Sequence, residues 1–421
     1  MKRAVVIICD GLRSDMVKPN LTPHLCYLQT LGRSYKKHRS VFPSTTRTTA
    51  ASIATGCYPG RHGLHGNSMA LNEGKGLQPL SVGPKDFRDR LRSATGRTLK
   101  VPTLSEYLKD KEGAIIFSNV SPGAAYFQDP DGFGYVYHRE GSFAPDLIPI
   151  FGDDHLAVSH DQNGDRDMCE RFCEDILLNR KPSYSVLWQC EPDHTQHSTP
   201  LGSPENLRAI ASADQNVGRV LEVLNSEELE GDEILLIVGS DHGHETVSKL
   251  LPLTELLIEA GLKESEISSD VVVAPNGFSA NLYLSDRGWS RLERIVNFLE
   301  QLDEIDHVFY GDDLVKLGHS KGENLGACVV AKSTNKTNQF GVPGLSVGIE
   351  VPGTIDSRLG CGQHGGLGQY EQNPFLIIKG SDFKPGTTSD LETSAVDIAP
   401  TVLDFFGISQ KSLDGNSLSA K

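Results

Sequence analysis

The sequence predicts an α/β fold in which a mostly parallel central sheet is flanked by helices. Short apolar runs rich in β-branched residues recur along the chain, and turn residues bound each run. Continuous apolar runs of this length are typical of strands that are buried on both faces of a parallel sheet. Amphipathic helical patterns lie between the runs, and strands that alternate with helices indicate an α/β core.

The predicted strands of the central sheet lie, in chain order, at residues 5–9, 114–117, 184–189, 234–238 and 375–378. Capping residues mark several helix starts. Ser203 and Pro204 precede a stripe of apolar residues at helical spacing. Thr103 and Glu106 form a capping-box pattern, and a C-terminal helix is predicted to begin at Asp397.

Residues 254–345 interrupt this order and are predicted to form a smaller α+β cap. They contain helical patterns at 254–260 and 289–302 and an alternating strand pattern at 278–284. The core is then built from the two flanking segments, 1–253 and 346–421. Two stretches rich in Gly, Pro and aromatic residues are predicted to be long loops, at 68–100 and 119–165.

Charge and apolar content exclude several classes of protein. The chain has 421 residues, and 55 acidic against 40 basic side chains give a formal net charge of −15. Such a protein repels phosphate backbones at long range, so no nucleic-acid polymer is expected as a partner. No apolar run approaches the roughly 18–20 residues that span a bilayer, so no membrane insertion is expected.

The N-terminal apolar stretch ends at Asp10, which makes it too short for an export signal. The eight cysteines lack the paired spacings of a zinc ribbon or a disulfide framework. A cytoplasmic location with reduced thiols is therefore expected.

Carboxylates and histidines follow three of the predicted strands and also occur in a late glycine-rich loop. In open α/β sheets, ligands bind beyond the carboxyl ends of the strands, so these side chains are expected to meet at one edge. Mixed carboxylate and imidazole ligands suit zinc and similar first-row metals. The side chains are Asp10 after the first strand, Asp193, His194 and His197 after the third, Asp241, His242 and His244 after the fourth, and His364 in the late loop.

Hydroxyl side chains precede a predicted helix of small residues that runs to about Gly56. A helix N-terminus offers backbone N–H groups and a positive dipole end to an anion. A metal could also activate one of these hydroxyls as a nucleophile. The candidates at this point are Ser44, Thr45 and Thr46.

Several motifs, scattered over nearly the whole chain and in the same order, resemble the alkaline phosphatase superfamily. The closest resemblance is to its type I phosphodiesterase/nucleotide pyrophosphatase branch, which includes phosphonoacetate hydrolase. The motifs are Asp10-Gly11-Leu12-Arg13, Thr22-Pro23-His24-Leu25, Phe42-Pro43-x-x-Thr46, Thr55-Gly56-Cys57-Tyr58-Pro59-Gly60-Arg61-His62-Gly63, Glu191-Pro192-Asp193-x-x-x-His197, Ser240-Asp241-His242-Gly243 and His364-Gly365.

The resemblance implies an alkaline-phosphatase-like core that holds two zinc ions, with manganese or iron as alternatives. One ion would be held by Asp193, His197 and His364, and the other by Asp10, Asp241, His242 and the hydroxyl of Thr46. Thr46 is preferred as the nucleophile because it lies nine residues before Thr55, as the family nucleophile lies before its Thr-Gly pair. Asn67 matches the asparagine that holds a phosphoryl oxygen in the diesterase branch. His194 and His244 do not match ligand positions and are expected to lie beside the ligands or in solvent.

We therefore predict an enzyme, a di-zinc hydrolase of small phosphodiesters, nucleotide pyrophosphates or phosphonates that forms a covalent phosphothreonine-type intermediate. The absence of a Cys-x-Pro-x-Arg setting argues against a sulfatase. Monoesterases commonly use an arginine to hold the phosphoryl group, and Arg47, next to Thr46, could take that role, which departs from the usual pattern of the branch. A phosphomonoesterase or a phosphonoacetate-type C–P bond hydrolase therefore stays open as an alternative. A manganese-dependent phosphomutase on the same fold is a further alternative.

The predicted partner is a small phosphorylated or phosphonate substrate, and the chain could form a homodimer. The cap at 254–345 and the aromatic residues of one predicted loop are the places where the organic group could bind. Those aromatic residues are Tyr126, Phe127, Phe133, Tyr135 and Tyr137, for which ordinary loop packing is the alternative reading.

Overall fold

The computed structural model describes residues 1–322, 324–353, 358–409 and 412–419. The predicted cap includes one residue outside these ranges, and the second core segment includes several. Within the described residues the strands are β1 (Lys2–Cys9), β2 (Arg33–Arg39), β3 (Ser68–Asn72), β4 (Leu77–Ser81), β5 (Ala114–Ser118), β6 (Tyr135–Tyr137), β7 (Ser142–Ala144), β8 (Ile148–Ile150), β9 (Tyr184–Gln189), β10 (Glu233–Gly239), β11 (Glu245–Leu251), β12 (Val271–Pro275), β13 (Ser279–Leu284), β14 (Ile305–Tyr310), β15 (Leu325–Ala331), β16 (Ser333–Thr337), β17 (Pro343–Ile349), β18 (Gly362–Gln363), β19 (Leu376–Lys379) and β20 (Thr387–Ser394).

The α-helices of the same residues connect these strands, and short 3-10 turns are left unlabelled. They are α1 (Pro23–Leu31), α2 (Thr46–Thr55), α3 (Pro59–His62), α4 (Phe87–Thr95), α5 (Leu104–Tyr107), α6 (Pro122–Tyr126), α7 (Gln162–Arg171, continued by a π-helical segment over Phe172–Arg180), α8 (Asp193–Gln196), α9 (Pro204–Leu224), α10 (Leu253–Glu259), α11 (Asp286–Trp289), α12 (Leu292–Leu299) and α13 (Ile398–Phe405). None of them is long and apolar enough to cross a membrane.

The central sheet has ten strands in the order β20-β2-β19-β10-β1-β9-β5-β6-β7-β8. Its middle is parallel, since β1 pairs in parallel with β10 and β9, and β5 pairs in parallel with β9 and β6. This arrangement confirms the predicted α/β fold. The predicted strand at 375–378 differs, because β19 runs antiparallel to β10. Leu376 pairs with Gly239, so β19 starts beside the carboxyl end of β10 and can only run back along it.

Helices cover both faces of the sheet and create two apolar cores. Alternate residues of β1 point to opposite faces, as the two-residue period of a strand requires. Val6 packs in one core with residues of α2 and α13, whereas Val5 packs in the other with residues of α1, α7 and α9. Both valines are fully buried, which explains why this strand is apolar at every position from Ala4 to Cys9.

Capping at two predicted helix starts is confirmed. Ser203 Oγ accepts a hydrogen bond from the N–H of Asn206 at the start of α9, and Thr103 Oγ1 accepts one from the N–H of Glu106 at the start of α5. Residues 68–100 and 119–165 are not simply loops, because they contain the β3–β4 hairpin, α4, α6 and three short edge strands. Strands of three to five residues carry too few alternating positions for a sequence pattern to reveal them.

The predicted α+β cap contains α10, α11, α12 and a four-stranded antiparallel sheet of order β12-β13-β15-β14. This sheet has its own apolar core, which includes Leu257, Leu282 and Ile295. β16 and β17 belong to a different small sheet, in which β17 pairs in parallel with β11. Because β11 starts directly after His244, this second sheet ties the cap side of the molecule to the carboxyl edge of the central sheet.

Candidate metal centre

The carboxyl ends of three neighbouring parallel strands bring the predicted ligands together. β1 ends at Cys9 and is followed by Asp10, β9 leads into α8, which starts at Asp193, and β10 leads to Asp241 and His242. The backbone N–H of Asp193 donates to the carbonyl of Asp10, and the N–H of Gly11 donates to Asp241 Oδ1. The three strand ends are therefore hydrogen-bonded directly to one another, and their carboxylates share one edge of the sheet.

Asp10, Asp241 and His242 form one group of candidate ligands, and all three are buried. His242 Nε2 lies 3.5 Å from Asp10 Oδ1, 3.1 Å from Asp241 Oδ2 and 3.1 Å from Thr46 Oγ1. The fully buried Trp188 donates from Nε1 to Asp10 Oδ2 over 2.9 Å, which fixes the carboxylate so that Oδ1 faces His242. The structure thus brings together all four residues predicted for this position.

A second group contains Asp193, His197 and His364, together with His244. Asp193 Oδ1 lies 3.0 Å from His244 Nε2, 3.3 Å from His197 Nε2 and 3.5 Å from His364 Nε2. The two groups are adjacent, because the rings of His242 and His364 stack with their centroids 3.6 Å apart. Of the two alternatives expected for His244, beside the ligands or in solvent, the structure has the first, because its side chain is buried next to Asp193.

These separations are those of ligand atoms around a shared ion. Zinc–nitrogen and zinc–oxygen bonds of about 2.0–2.1 Å at tetrahedral angles place neighbouring ligand atoms about 3.3–3.4 Å apart. Three buried carboxylate oxygens, Asp10 Oδ1, Asp193 Oδ1 and Asp241 Oδ2, have no hydrogen-bond partner among the described residues. Buried charges of this kind are normally paired or coordinate a metal, so both groups fit a divalent cation.

The second ring nitrogens of these histidines support the same conclusion. Nδ1 of His242, His244 and His364 faces a backbone carbonyl at 3.1, 3.3 and 2.7 Å, belonging to Gly243, Gly11 and Ser44 respectively. A carbonyl only accepts, so Nδ1 carries the proton and Nε2 presents a lone pair to the carboxylates. Metal-ligating histidines in proteins are oriented in this way by carbonyl or carboxylate partners.

The protonation states in the absence of metal reflect burial and crowding. Burial, together with the charges of Asp241 and Asp193, raises the pKa of Asp10 well above its usual value. Burial and the charge of Asp193 raise the pKa of Asp241 to about 8. Burial lowers the pKa of both His242 and His244 to about 4, so both imidazoles are neutral and able to bind a metal near neutral pH.

Thr46 is distinguished from its neighbouring hydroxyls by what each one contacts. Thr46 is the first residue of α2, and its Oγ1 faces His242 Nε2. Ser44 Oγ donates to Glu371 Oε2 over 2.8 Å, and Thr45 Oγ1 donates to Thr48 Oγ1 over 2.9 Å. Only the hydroxyl of Thr46 among these three therefore reaches the candidate metal ligands in the described structure.

Asn67 and Arg47 lie on the other side of Thr46. Asn67 Oδ1 accepts a hydrogen bond from the backbone N–H of Arg47 over 3.2 Å, which leaves the amide nitrogen of Asn67 as a donor. Arg47 Nε donates to Ser121 Oγ over 3.0 Å and its Nη1 donates to the carbonyl of Asn67 over 3.1 Å. These contacts direct the guanidinium towards the Ser121 segment and use two of its nitrogens.

A sequence model of the type I phosphodiesterase/nucleotide pyrophosphatase family matches residues 4–312. The chain belongs to this family. Venom phosphodiesterase 2 of Crotalus adamanteus is 24% identical over 259 residues, which cover 58% of this chain and 27% of the relative. Ectonucleotide pyrophosphatase/phosphodiesterase family member 1 of Mus musculus is 24% identical over 247 residues, 56% of this chain and 23% of the relative. The match spans about a quarter of the length of these curated relatives.

Among solved structures, murine ectonucleotide pyrophosphatase/phosphodiesterase 5 is similar to the whole chain. The TM-score is 0.70 at 17% identity, with 99% of this chain and 98% of that chain covered. The same values apply to an inactive threonine-to-alanine variant of the murine protein in complex with AMP. The human counterpart has a TM-score of 0.67 at 16% identity. These likenesses confirm the alkaline-phosphatase-like fold.

In this family member the candidate metal centre opens into a cavity of about 730 Å³. Asp10, Thr46, Asp193 and Asn67 are among the residues that line it. An aliphatic wall, formed by residues of β11, β12 and β17 and of neighbouring segments, makes up part of the lining beside polar and charged side chains such as Lys263, Glu266 and Glu350. That wall includes Val247, Leu250, Ile267, Val272, Val273, Ile349 and Val351.

The aromatic residues that were candidates for binding the organic group lie elsewhere. Tyr126, Phe127 and Tyr137 are buried in the protein interior, and none of the five candidates lines the cavity. Among the described lining residues there is no Phe, Tyr or Trp at all, and the lining rings are histidines such as His160 and His194. Tyr126, Phe127 and Tyr137 thus follow the alternative of ordinary packing, and Phe133 and Tyr135 are half-buried outside the cavity lining. The aliphatic wall was not predicted from the sequence.

Proposed function

We propose that this chain is a two-metal hydrolase of small phosphodiesters, which uses Thr46 as its nucleophile. The observation that carries the proposal is the arrangement of two adjacent ligand groups with the Thr46 hydroxyl beside them in the lining of a cavity. Membership of the family supports the reaction class. The mixture of imidazole and carboxylate ligands supports zinc, with manganese or iron as alternatives.

One ion would be held by Asp193, His197 and His364. The other would be held by Asp10, Asp241, His242 and Thr46. Bound ions of this kind lower the pKa of a coordinated hydroxyl and offset charge on phosphoryl oxygens. The two groups are adjacent, as the stacking of His242 on His364 shows, so one phosphoryl group could contact both.

Thr46 Oγ1 attacks phosphorus, the bond from phosphorus to the leaving alcohol or phosphate breaks, and the proton of the Thr46 hydroxyl ends on that leaving group. Water then attacks the phosphothreonine, breaks the bond to Oγ1 and returns the proton to Thr46, so that one water is consumed per diester. Asn67 supports the reaction by donating from its amide nitrogen to a phosphoryl oxygen, since its Oδ1 is already held by the backbone of Arg47. A fixed donor of this type is effective because it is aimed before charge develops.

The cavity wall favours an aliphatic organic group on the substrate. A nucleobase is commonly bound by stacking on an aromatic plane, whereas the described lining residues include branched aliphatic side chains and no Phe, Tyr or Trp. Burying each additional methylene is worth up to about 0.8 kcal/mol, which corresponds to about fourfold in kcat/KM. The preferred substrate is therefore a small phosphodiester with an apolar alkyl group.

A substrate panel at fixed zinc tests this proposal. The panel contains methyl, ethyl and butyl p-nitrophenyl phosphate diesters, a thymidine p-nitrophenyl diester, p-nitrophenyl phosphate, phosphonoacetate and a dinucleotide. We expect diesters to be cleaved faster than the monoester, with kcat/KM rising along the alkyl series. Cleavage of phosphonoacetate alone would assign the C–P bond reaction instead, and phosphoryl transfer without net hydrolysis would assign a mutase.

The net charge of −15 supports a small substrate over a nucleic-acid polymer. A cytoplasmic location and a homodimer stay predictions, which cell fractionation and analytical ultracentrifugation would test.

A further inference from the structure

His244 belongs to the second ligand group, although the resembled family motifs assign it no ligand position. It follows Asp241 and His242 by a few residues, and it immediately precedes β11. Its side chain is fully buried, and its Nε2 has no hydrogen-bond partner among the described residues. Its Nδ1 faces the carbonyl of Gly11, so Nε2 is the nitrogen that presents a lone pair to Asp193, an arrangement suited to a cation between the two.

The geometry of His244 matches that of the predicted ligands on every point. Its Nε2 lies 3.0 Å from Asp193 Oδ1, which is closer than the corresponding atoms of His197 at 3.3 Å and His364 at 3.5 Å. Its ring centroid is 5.1 Å from that of His197 and 4.9 Å from that of His364. All four ligand atoms of the group lie within 4.8 Å of one another.

Two glycines hold the ring of His244 in this orientation. Gly11 has a φ of +71°, and a Cβ there would lie 2.6 Å from His244 Cε1 and 2.8 Å from Nδ1. A Cβ on Gly362 would lie 3.0 Å from His244 Cδ2. The carbonyl of Gly11 also faces Nδ1, so the chain leaves the ring little freedom to turn Nε2 away from Asp193.

We propose that His244 is a fourth protein ligand of the metal position formed by Asp193, His197 and His364. This inference rests on the proposed two-metal function and deepens it. Four protein ligands complete a tetrahedral set, whereas catalytic zinc sites commonly keep only three and an open position. This position should therefore retain its ion more tightly than the one at Asp10, Asp241 and His242, and accept a substrate oxygen only as a fifth ligand.

Metal binding to the full-length, metal-free chain tests the proposal without any substrate. Zinc affinities are measured by competition with a chromophoric chelator, and the visible absorption of Co²⁺ reports the coordination of each position. For His244→Ala we expect one of two ions to bind more than about 100-fold more weakly, beyond the 10–100-fold typical of residues that only orient a ligand. We also expect a changed Co²⁺ spectrum for that ion.

His194→Ala is the matched control. His194 is another imidazole near the centre, but its ring pairs with His160 at a centroid distance of 4.2 Å and it does not belong to either ligand group. It should leave both zinc affinities and the Co²⁺ spectrum unchanged. His244→Gln, which keeps a polar side chain of similar reach, provides a second variant if the alanine variant fails to fold, and it should weaken the same ion.

Two results would overturn the proposal. If His244→Ala kept both zinc affinities within about tenfold of the wild type, His244 would not be a ligand, because even the loss of a residue that only orients a ligand usually lowers metal affinity by more than this. If one ion bound more weakly but the Co²⁺ spectrum were unchanged, His244 would be a positioning residue that acts through Asp193. A wild-type chain that binds no metal would instead contradict the proposed function itself, so the two failures are distinguishable.

Discussion

Thr46→Ala removes a single hydroxyl from the centre of the proposed reaction. Thr46 is 8% exposed, starts α2, and its Oγ1 lies 3.1 Å from His242 Nε2. Losing that hydrogen bond costs about 1 kcal/mol of unfolding free energy. The better helix propensity of alanine returns up to about 0.7 kcal/mol. The variant should therefore fold with a stability within about 1 kcal/mol of the wild type.

The loss of activity should be far larger than this change in stability. Without the nucleophile, only positioning and charge stabilisation are left, and kcat/KM should fall by at least about 10⁴-fold, or about 5 kcal/mol of transition-state stabilisation. Initial rates on an alkyl p-nitrophenyl diester at fixed zinc measure this fall, and a urea titration measures stability. Thr46→Ser, which keeps a hydroxyl, should recover part of the rate.

Thr48→Ala is the matched control for this variant. Thr48 is buried in the same helix, accepts a hydrogen bond from Thr45, and does not line the cavity. It should keep kcat/KM close to the wild-type value, because its side chain neither lines the cavity nor contacts the candidate metal ligands. A folded Thr46→Ala variant that binds its metals and keeps more than a tenth of the wild-type rate would refute the assignment of the nucleophile.

Three further predictions concern the same edge of the sheet. Asn67→Ala should lower kcat about 10²–10³-fold with little change in metal content, as measured by steady-state kinetics and metal analysis, because it removes one aimed donor. Zinc affinity should rise with pH up to about 8, because the pKa of Asp241 is raised to about 8 and metal binding must displace the proton that Asp241 carries below that pH. Calorimetric titrations at pH 6, 7 and 8 measure this dependence, and an affinity that does not change with pH would contradict it. Gly11→Ala should lower the free energy of unfolding by at least about 1–2 kcal/mol in urea, because φ is +71° and the new Cβ meets His244.

Much of the candidate centre was predictable because it depends on local patterns. Buried strands can be recognised in the sequence as apolar runs, and Asp10, Asp193 and Asp241 lie shortly after such runs. Parallel strands place their carboxyl ends at one edge, so the meeting of these carboxylates follows from the fold class. The choice of Thr46 over Ser44 and Thr45 came from its register in the resembled motif, and the different hydrogen bonds of the three hydroxyls agree with it.

Other features depend on contacts between distant segments. The orientation of His244 is set by Gly11, which precedes it by more than two hundred residues, and no spacing rule connects the two. The aliphatic wall of the cavity combines residues of β11, β12 and β17, and some of them, such as Val273 and Ile349, also belong to the apolar core of the cap sheet, so their sequence pattern does not distinguish a cavity wall from core. The direction of β19 is set by where the preceding loop delivers it beside Gly239, which the apolar run alone does not reveal.

Two bound ions and Thr46 are proposed to hydrolyse a small phosphodiester together. Stepwise addition of zinc to the metal-free, full-length chain, while the hydrolysis of butyl p-nitrophenyl phosphate is followed, tests whether both ions are needed. The rate should rise until two equivalents are bound, stay constant beyond that point and be abolished by a chelator. A full rate with less than one bound ion per chain, or in the presence of the chelator, would contradict this proposal.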